Sequence, residues 1–577
     1  MKKLLCAVVF LSFAIGMGVY QSQTHSKKAE PKIKYVPGEV IVKLKPGATV
    51  DHLKAFSFRE IATVSLKLNL FILKFSPQIS LNSLLNKIRN LPQVEYAEPN
   101  YIYSIDMSSF SPRRVRQIMG IDQSTMISDP EFEKNWGLNN VGQTDVSGQI
   151  GKPGSDIDAL QAWTQEIGSR AIKVAVIDTG IDYTHEDLVN NIYQNPGELG
   201  EYTNDKGAQA FKETDGIDND GNGFIDDVRG WNFVSNSNDA MDDHSHGTHV
   251  AGTIGAYGNN EVGILGVTWR VSLIPVKFLS SGGSGTLEDA VKAIEYAHTL
   301  GVHVMSNSWG GGGFSQALAD AIKSASDAGI YFVAAAGNDA GNNDVVPHYP
   351  SNYEFENVIS VAATDNQDQL AKFSNYGKTT VDIAAPGVSI YSSIPGNNYG
   401  YMSGTSMATP HISGMIALLL SSHPNLAMQD LKKILYTSSE EIKILRRKIS
   451  HGRANAFYAL TNFEAPKSTP TDPSLFKNVT HLISTPHDYD NSKEYTYKIT
   501  HSGAKKMRVH FSKFETETGY DFVYIKNAKG EVEDFYDGVQ TPFWTYEVDG
   551  DTIEIVLAAD QIVSTYGFDI DSYGYVE

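Results

Sequence analysis

Residues 174–180 read Val174-Ala175-Val176-Ile177-Asp178-Thr179-Gly180: four consecutive apolar residues, then a carboxylate, a hydroxyl and a glycine. A short β-branched run with no polar alternation suits a strand covered on both faces. Similar runs recur at Leu273 to Val276, Val302 to Met305, Tyr331 to Ala335 and Val358 to Val361. Between them lie stretches of helical spacing, Leu287 to Leu300 and Gln316 to Ala328. Strands alternating with helices predict an α/β fold with a doubly wound, mostly parallel sheet over about 131–462.

Working outward, residues 31–105 predict a small α+β unit, with a strand at Val40-Ile41-Val42, a helix over Leu81 to Leu91 and a strand at Val94-Glu95-Tyr96. A polar connector follows over 106–130, containing Pro112 and Arg113-Arg114. A second connector over 463–480 is rich in Pro, Ser and Thr, and 481–577 read as short alternating aromatic strands, a β-sandwich. The chain begins Met1-Lys2-Lys3, then an apolar run from Leu4 to about Val19 and polar Gln21-Ser22-Gln23, the pattern of a secretory signal over 1–22.

The 577 residues carry a formal charge of −20, divided as +3 over 1–30, +5 over 31–105 and −28 over the rest. An acidic body argues against nucleic acid or an anionic membrane as partner. A mean hydropathy of −0.25 excludes a multispan membrane protein. The single cysteine, Cys6, lies in the leader, so the remainder is predicted to hold no disulfide. Bound metal is the expected substitute stabiliser.

Three motifs sit where strands end or helices begin: Asp178-Thr179-Gly180, His246-Gly247-Thr248-His249 and Gly404-Thr405-Ser406-Met407-Ala408. A serine hydroxyl becomes a nucleophile at neutral pH when an imidazole takes its proton and an acid orients that imidazole. Asp178, His246 and Ser406 supply those parts. Asn338, in Ala335-Ala336-Gly337-Asn338, offers an amide to a developing oxyanion, with the Ser406 backbone N–H as second donor. Each residue alone has an ordinary structural reading, as strand-end cap, packing histidine or helix N-cap. Four extended motifs in one order on one α/β pattern do not. His244 is the competing base candidate, and His249 and His411 read as packing residues.

The stretch 131–462 resembles the subtilisin family of serine proteases, whose Asp…His…Ser order it repeats. The resemblance implies Asp178 as orienting acid, His246 as general base and acid, Ser406 as nucleophile and Asn338 as oxyanion donor. It also implies an extended substrate held by Ser308, Trp309 and Gly310 and by Gly283, Ser284 and Gly285. The first side-chain pocket would lie between Ser308–Gly310 and Ala335, Ala336 and Gly337. Subtilisin-like enzymes commonly take a large apolar residue there, while Asp339 and Asp344 raise a basic one as alternative. Val36 to Val42 and Val94 to Asn100 resemble the ends of the family's propeptide, which implies an intramolecular chaperone and inhibitor.

Between Glu213 and Asp227 stand six carboxylates and no Lys or Arg. Asp218, Asp220 and Asn222 alternate as side-chain oxygens, and Phe224 offers a carbonyl, as in a Ca²⁺ loop. Arg229 holds the position of the usual closing Glu, so Asp226 or Asp227, with Asp215, is expected to complete the shell. Mg²⁺ is less suited, because it retains its waters. Asp187 and Asn260 resemble the family's tight calcium loop. The tail resembles a CUB-like sandwich at Phe514-Glu515 and Gly519 to Ile525, without that family's disulfides, and Glu515 or Glu517, with Asp521 and Asp560, is a third candidate Ca²⁺ set.

The expectation is a secreted, calcium-stabilised, monomeric serine endopeptidase made as a zymogen and acting on polypeptides. The alternative is a catalytically silent secreted binding protein using its C-terminal domain.

Overall fold

A computed structural model describes residues 33–54, 56–105, 109–111, 127–203, 207–469 and 471–577. The expected leader, Arg113-Arg114 and most of the first connector lie outside the described residues.

Seven parallel strands form the central sheet, in the order Ile383–Pro386, Val358–Thr364, Tyr331–Ala335, Val304–Asn307, Gly168–Asp178, Arg270–Lys277 and Trp231–Asn232. The strand ending at Asp178 is central, and its alternate residues face opposite ways. Val174 and Val176 pack with Val250, Met407, Ile412 and Ile416 on one face. Ala175 and Ile177 pack with Leu287, Ile294, Leu318 and Ile322 on the other. This two-sided burial is why the run at 174–177 lacks polar alternation, and the doubly wound expectation holds.

The N-terminal unit is a sheet of Tyr35–Leu44, Glu60–Ser65, Leu70–Lys74 and Val94–Ser104 backed by helix α1 (Leu81–Arg89). Leu84, Leu85 and Ile88, at helical spacing, bury against Val40, Val42 and Leu73 of the sheet. The C-terminal region from Lys477 to Val576 is two antiparallel sheets. They share a core of Phe511, Phe514, Val523, Ile555, Leu557 and Phe568. Its Val532–Tyr536 strand lies against the catalytic unit: Tyr376 donates to Asp537 at 3.0 Å, and the buried Lys448 ammonium sits 3.6 Å from the Phe535 ring centroid. Among the described residues no helix is long and apolar enough to cross a membrane.

Candidate active site

Asp178 is the last residue of its strand and is fully buried. Helix α2 (His246–Gly255) begins against that strand end. The approach is close: a Cβ on Gly247 would lie 2.0 Å from the Gly180 carbonyl oxygen, so only glycine fits there. Thr179 ties the two ends together, its hydroxyl accepting from Gly247 N at 2.9 Å and donating to Asp242 at 2.9 Å. Asp242 also accepts from Thr248 N and its hydroxyl, which holds the first turn of α2. The result is an imidazole–carboxylate pair: His246 Nδ1 lies 2.8 and 3.0 Å from the two Asp178 oxygens. His246 Nε2 has no hydrogen-bond partner, which leaves it available to a reacting group.

Ser406 is the second residue of helix α5, with α3 (Leu287–Thr299) and α4 (Gln316–Asp327) preceding it in the chain and α5 spanning Thr405–Ser422. First-turn N–H groups of a helix have no intrahelical acceptor, so Ser406 N–H stands at a positive helix end. The Ser406 hydroxyl donates to the Ser308 carbonyl at 3.0 Å, and Ser308 Oγ donates to the Ser406 carbonyl at 2.9 Å. Asn338 is oriented by its neighbour: its Oδ1 accepts from Thr405 N at 2.8 Å and Thr405 Oγ1 at 3.0 Å. That fixes the amide oxygen toward α5 and turns the NH₂ end the other way. Thr405 was not foreseen as the residue that orients Asn338.

The other histidines separate by environment. His249 is wholly buried with its Nε2 3.0 Å from the Ile390 carbonyl, and burial pulls it down to about 3. His411 is likewise buried, bonded to the Met407 carbonyl at 2.8 Å and pulled down to about 4. His244 Nδ1 has no hydrogen-bond partner, and its ring centroid lies 6.4 Å from that of His246. Lys277, which the sequence reading did not single out, is 3% exposed and donates to the carbonyls of Thr179 and Leu279 and to Asp243. It neutralises charge beside the Asp178 strand end.

The groove beside these residues is filled by the chain itself. Ile102–Ser104 pair antiparallel with Ser284–Thr286, and Ser104 exchanges two 3.0 Å backbone hydrogen bonds with Gly310. Gly283 accepts from Ile105 N at 2.9 Å. Gly283, Ser284, Gly285 and Gly310 therefore grip one extended strand. Trp309 presents its ring, which is buried against Phe278 and against Tyr103 of the strand in the groove. Ala335 and Ala336 are buried, and Gly337 follows two residues after the end of the Tyr331–Ala335 strand. Asp344 accepts from the backbone and hydroxyls of Thr379 and Thr380, which leaves it committed away from the groove.

In the acidic loop, the carboxylates that converge are Glu198, Asp220 and Asp227, with oxygens within 4.8 Å of one another. Glu198 is fully buried and its Oε2 has no hydrogen-bond partner. Burial raises the pKa of both Glu198 and Asp227, with Asp220 adding repulsion. Asn222 donates to Asp220 and Asp227. Phe224 buries its ring against Trp231 and Tyr296. Asp215, Asp218 and Asp226 stand outside this trio, accepting instead from the loop's own N–H groups: Ile217 for Asp215, Gly221 and Gly223 for Asp218, Gly216 for Asp226. Glu198 was missed because it lies in another segment, with no spacing that ties it to the loop.

Asp187 and Asn260 do meet, but through a 2.9 Å hydrogen bond to each other, and Asp187 also accepts from Ile264 N and Tyr399. In the C-terminal region Glu517, Asp521 and Asp560 converge. Glu515 does not join them, since it ends its strand paired with Gly567 and Val539, two residues before the turn that carries Glu517.

The sequence pattern of the Subtilase family matches residues 169–465, and that of the Fervidolysin N-terminal prodomain matches residues 21–100. The chain is 32% identical over 477 residues to the Thermophilic serine proteinase of Bacillus sp. (strain AK1), covering 79% of this chain and 99% of that protein. It is 36% identical over 304 residues to Thermitase of Thermoactinomyces vulgaris, covering 53% of this chain and 93% of that protein. It is also 36% identical over 297 residues to Subtilisin-like protease 1 of Plasmodium vivax, covering 48% of this chain and 45% of that larger protein.

Proposed function

The chain belongs to the subtilase family of serine peptidases and carries that family's prodomain, and from this premise we propose a secreted, calcium-stabilised endopeptidase made as a zymogen. Its parts are a signal at 1–22, an inhibitory propeptide at 31–105, a connector at 106–130, the catalytic domain at 131–462, a linker at 463–480 and a CUB-like domain at 481–577. The observation that carries the reading is the Asp178–His246 pair, buried at 2.8 Å with Nε2 left open, His246 standing on a helix that packs against the one starting at Thr405-Ser406.

Asp178 fixes the imidazole with Nε2 available and stabilises its cation. His246 takes the Ser406 proton as Oγ adds to a peptide carbonyl, and the Asn338 amide and Ser406 N–H hold the oxyanion. His246 returns the proton to the leaving amine, and water resolves the acyl-enzyme. For that transfer the hydroxyl must turn from the Ser308 carbonyl, to which it donates at 3.0 Å, to His246. The strand of Ile102 to Ser104 in the groove supports self-inhibition, because it uses the backbone positions a substrate needs.

Glu198, Asp220 and Asp227 suit Ca²⁺: all are hard oxygen donors, and one buried oxygen lacks any other partner. Calcium there neutralises the loop and stabilises the fold without entering the reaction. Glu517, Asp521 and Asp560 suit a second ion by the same chemistry.

A fluorophosphonate probe tests the central reading. It labels the processed chain and fails to label Ser406→Ala, which accumulates as precursor; labelling that survives the substitution refutes Ser406 as nucleophile.

A further inference from the structure

The loop that carries Asn338 is stapled along its length to a second loop, residues 373–376. The Gly337 carbonyl accepts from Asn375 N at 2.9 Å, and Ala340 N donates to the Phe373 carbonyl at 2.8 Å. Tyr376 N donates to the Gly341 carbonyl at 3.0 Å, and Asn343 N donates to the Tyr376 carbonyl at 2.6 Å. The Asn375 side chain adds three more bonds. Its Oδ1 accepts from Asp339 N and Gly341 N, both at 2.9 Å, and its Nδ2 donates to Asn343 Oδ1 at 3.0 Å. Asn343 in turn donates to the Ala336 carbonyl at 2.9 Å, and both asparagines are buried. Thr405 therefore fixes the Asn338 amide, while residues 373–376 fix the backbone before and after it.

This second loop is anchored outside the catalytic unit. Tyr376 is buried, and its hydroxyl donates at 3.0 Å to Asp537 Oδ1 of the C-terminal sandwich. A buried phenol hydroxyl needs an acceptor, and the one Tyr376 uses belongs to the other unit. Burial, with Asp537 beside it, raises the pKa of the phenol, so the group stays protonated and keeps donating. Asp537 is itself buried and held, its Oδ2 accepting from Gly519 N at 2.9 Å. The Tyr376 ring is fixed as well, by Phe535 edge-on at 6.2 Å and by the Lys448 ammonium 4.6 Å from its centroid. A continuous run of bonded groups thus leads from Gly519 through Asp537, Tyr376 and Asn375 to residues 337 and 339. Those are the two neighbours of Asn338.

An oxyanion donor must be held to within about 0.5 Å of its productive place, and a displacement of about 1 Å can cost on the order of 10² in rate. We propose that Tyr376 and Asp537 are positioning residues for Asn338, so that the C-terminal sandwich supports the oxyanion donor from outside the catalytic domain. This rests on the serine-peptidase reading above. Neither residue is given any contact with substrate; both act through Asn375 and the backbone around Asn338. Loss of the phenol hydroxyl leaves the ring packing and the Asn375 bonds in place. The loop then keeps its course with one fixed point fewer. The consequence falls on the transition state, where the oxyanion exists, and spares substrate binding.

Steady-state kinetics of the processed enzyme, sandwich included, on one peptide substrate test it. Tyr376→Phe should lower kcat about three- to tenfold, short of the loss of about 10²–10³ when the donor itself is removed, with KM nearly unchanged. Asp537→Ala should give a loss of the same size, and the two together no more than either alone, because they remove one hydrogen bond. In an Asn338→Leu background, Tyr376→Phe should leave kcat unchanged, since the donor it positions is gone. A general loosening of the fold would instead add its loss to that of Asn338→Leu. Should Asp537→Ala fail to fold, the Tyr376→Phe and Asn338→Leu pair still decides. In an enzyme that labels with the fluorophosphonate probe, three results overturn the inference alone: an undiminished kcat in Tyr376→Phe, a loss confined to KM, or a loss that persists in full beside Asn338→Leu. A parent chain that neither labels nor cleaves overturns the serine-peptidase reading and the inference with it.

Discussion

The Glu98 carboxylate accepts a 2.8 Å hydrogen bond from the hydroxyl of Ser315, joining the N-terminal unit to the start of α4. Glu98 also accepts from the backbone N–H groups of Gln316 and Ala317 at 3.0 and 2.9 Å. These are first-turn donors that have no acceptor within the helix. A carboxylate from one unit thus caps a helix of the other, favoured by the positive helix end. Lys43 and Tyr96 reinforce the contact through Asp320, at 2.7 and 2.8 Å.

Glu98→Ala in the unprocessed Ser406→Ala precursor should therefore loosen the two units. Loss of such a cap costs about 0.5–2 kcal/mol, which for domains of this size lowers the melting temperature by a few degrees. Scanning calorimetry of the two precursors reads the difference. In the active chain the same change should shorten the lag before protease activity rises. An unchanged melting temperature and lag would mean that the contact is incidental.

Asn338→Leu should lower kcat by about 10²–10³ with little effect on KM, as removal of one oxyanion donor does. The Asn338 oxygen also holds Thr405, so Thr405→Val is the control. It keeps the backbone donor but removes the hydroxyl, and should cost less than Asn338→Leu. Steady-state kinetics on one peptide substrate separates the cases, and a rise in KM alone would contradict the role given to Asn338.

What was readable before the structure, and what was not, divides by how local the signal is. The run from Val174 to Asp178 carries its own fold assignment, because two-sided burial demands an unbroken apolar stretch. Asp178, His246 and Ser406 each sit in a short motif at an element end, and the structure pairs the first two at 2.8 Å. Glu198 had no such motif, because it approaches Asp220 and Asp227 across a chain reversal. In the acidic loop, the alternating oxygens are real, but Asp215, Asp218 and Asp226 turn to backbone N–H groups. Spacing alone cannot tell a carboxylate that caps a turn from one that faces inward.

The contact between the catalytic unit and the C-terminal sandwich should contribute to stability. Phe535 packs edge-on against Tyr376 and faces Lys448, whose burial lowers its pKa. Asp534, also buried and raised, faces the same lysine. Phe535→Ala removes the ring's packing and its contact with the ammonium, at a cost of about 2–4 kcal/mol. Limited proteolysis of the Ser406→Ala chain by an added protease should then release the C-terminal region more readily than from the parent. Equal rates would show that the sandwich is held elsewhere.

Calcium should stabilise the protein in a pH-dependent way whose sign follows from Glu198 and Asp227. Both have folded-state pKa values raised by burial. A raised carboxyl stabilises the fold while protonated, and that contribution is lost as pH rises from the unfolded value through the folded one. The calcium-free protein is therefore penalised most at neutral pH and above, where both groups must be charged, and bound Ca²⁺ relieves that penalty. The gain in melting temperature on adding Ca²⁺ to the stripped Ser406→Ala chain should be large at pH 8 and shrink as pH falls toward the ordinary carboxylate range. Glu198→Gln should raise the calcium-free melting temperature at pH 8 and remove most of the gain. A gain that is independent of pH, or that survives Glu198→Gln intact, would place the stabilising ion elsewhere.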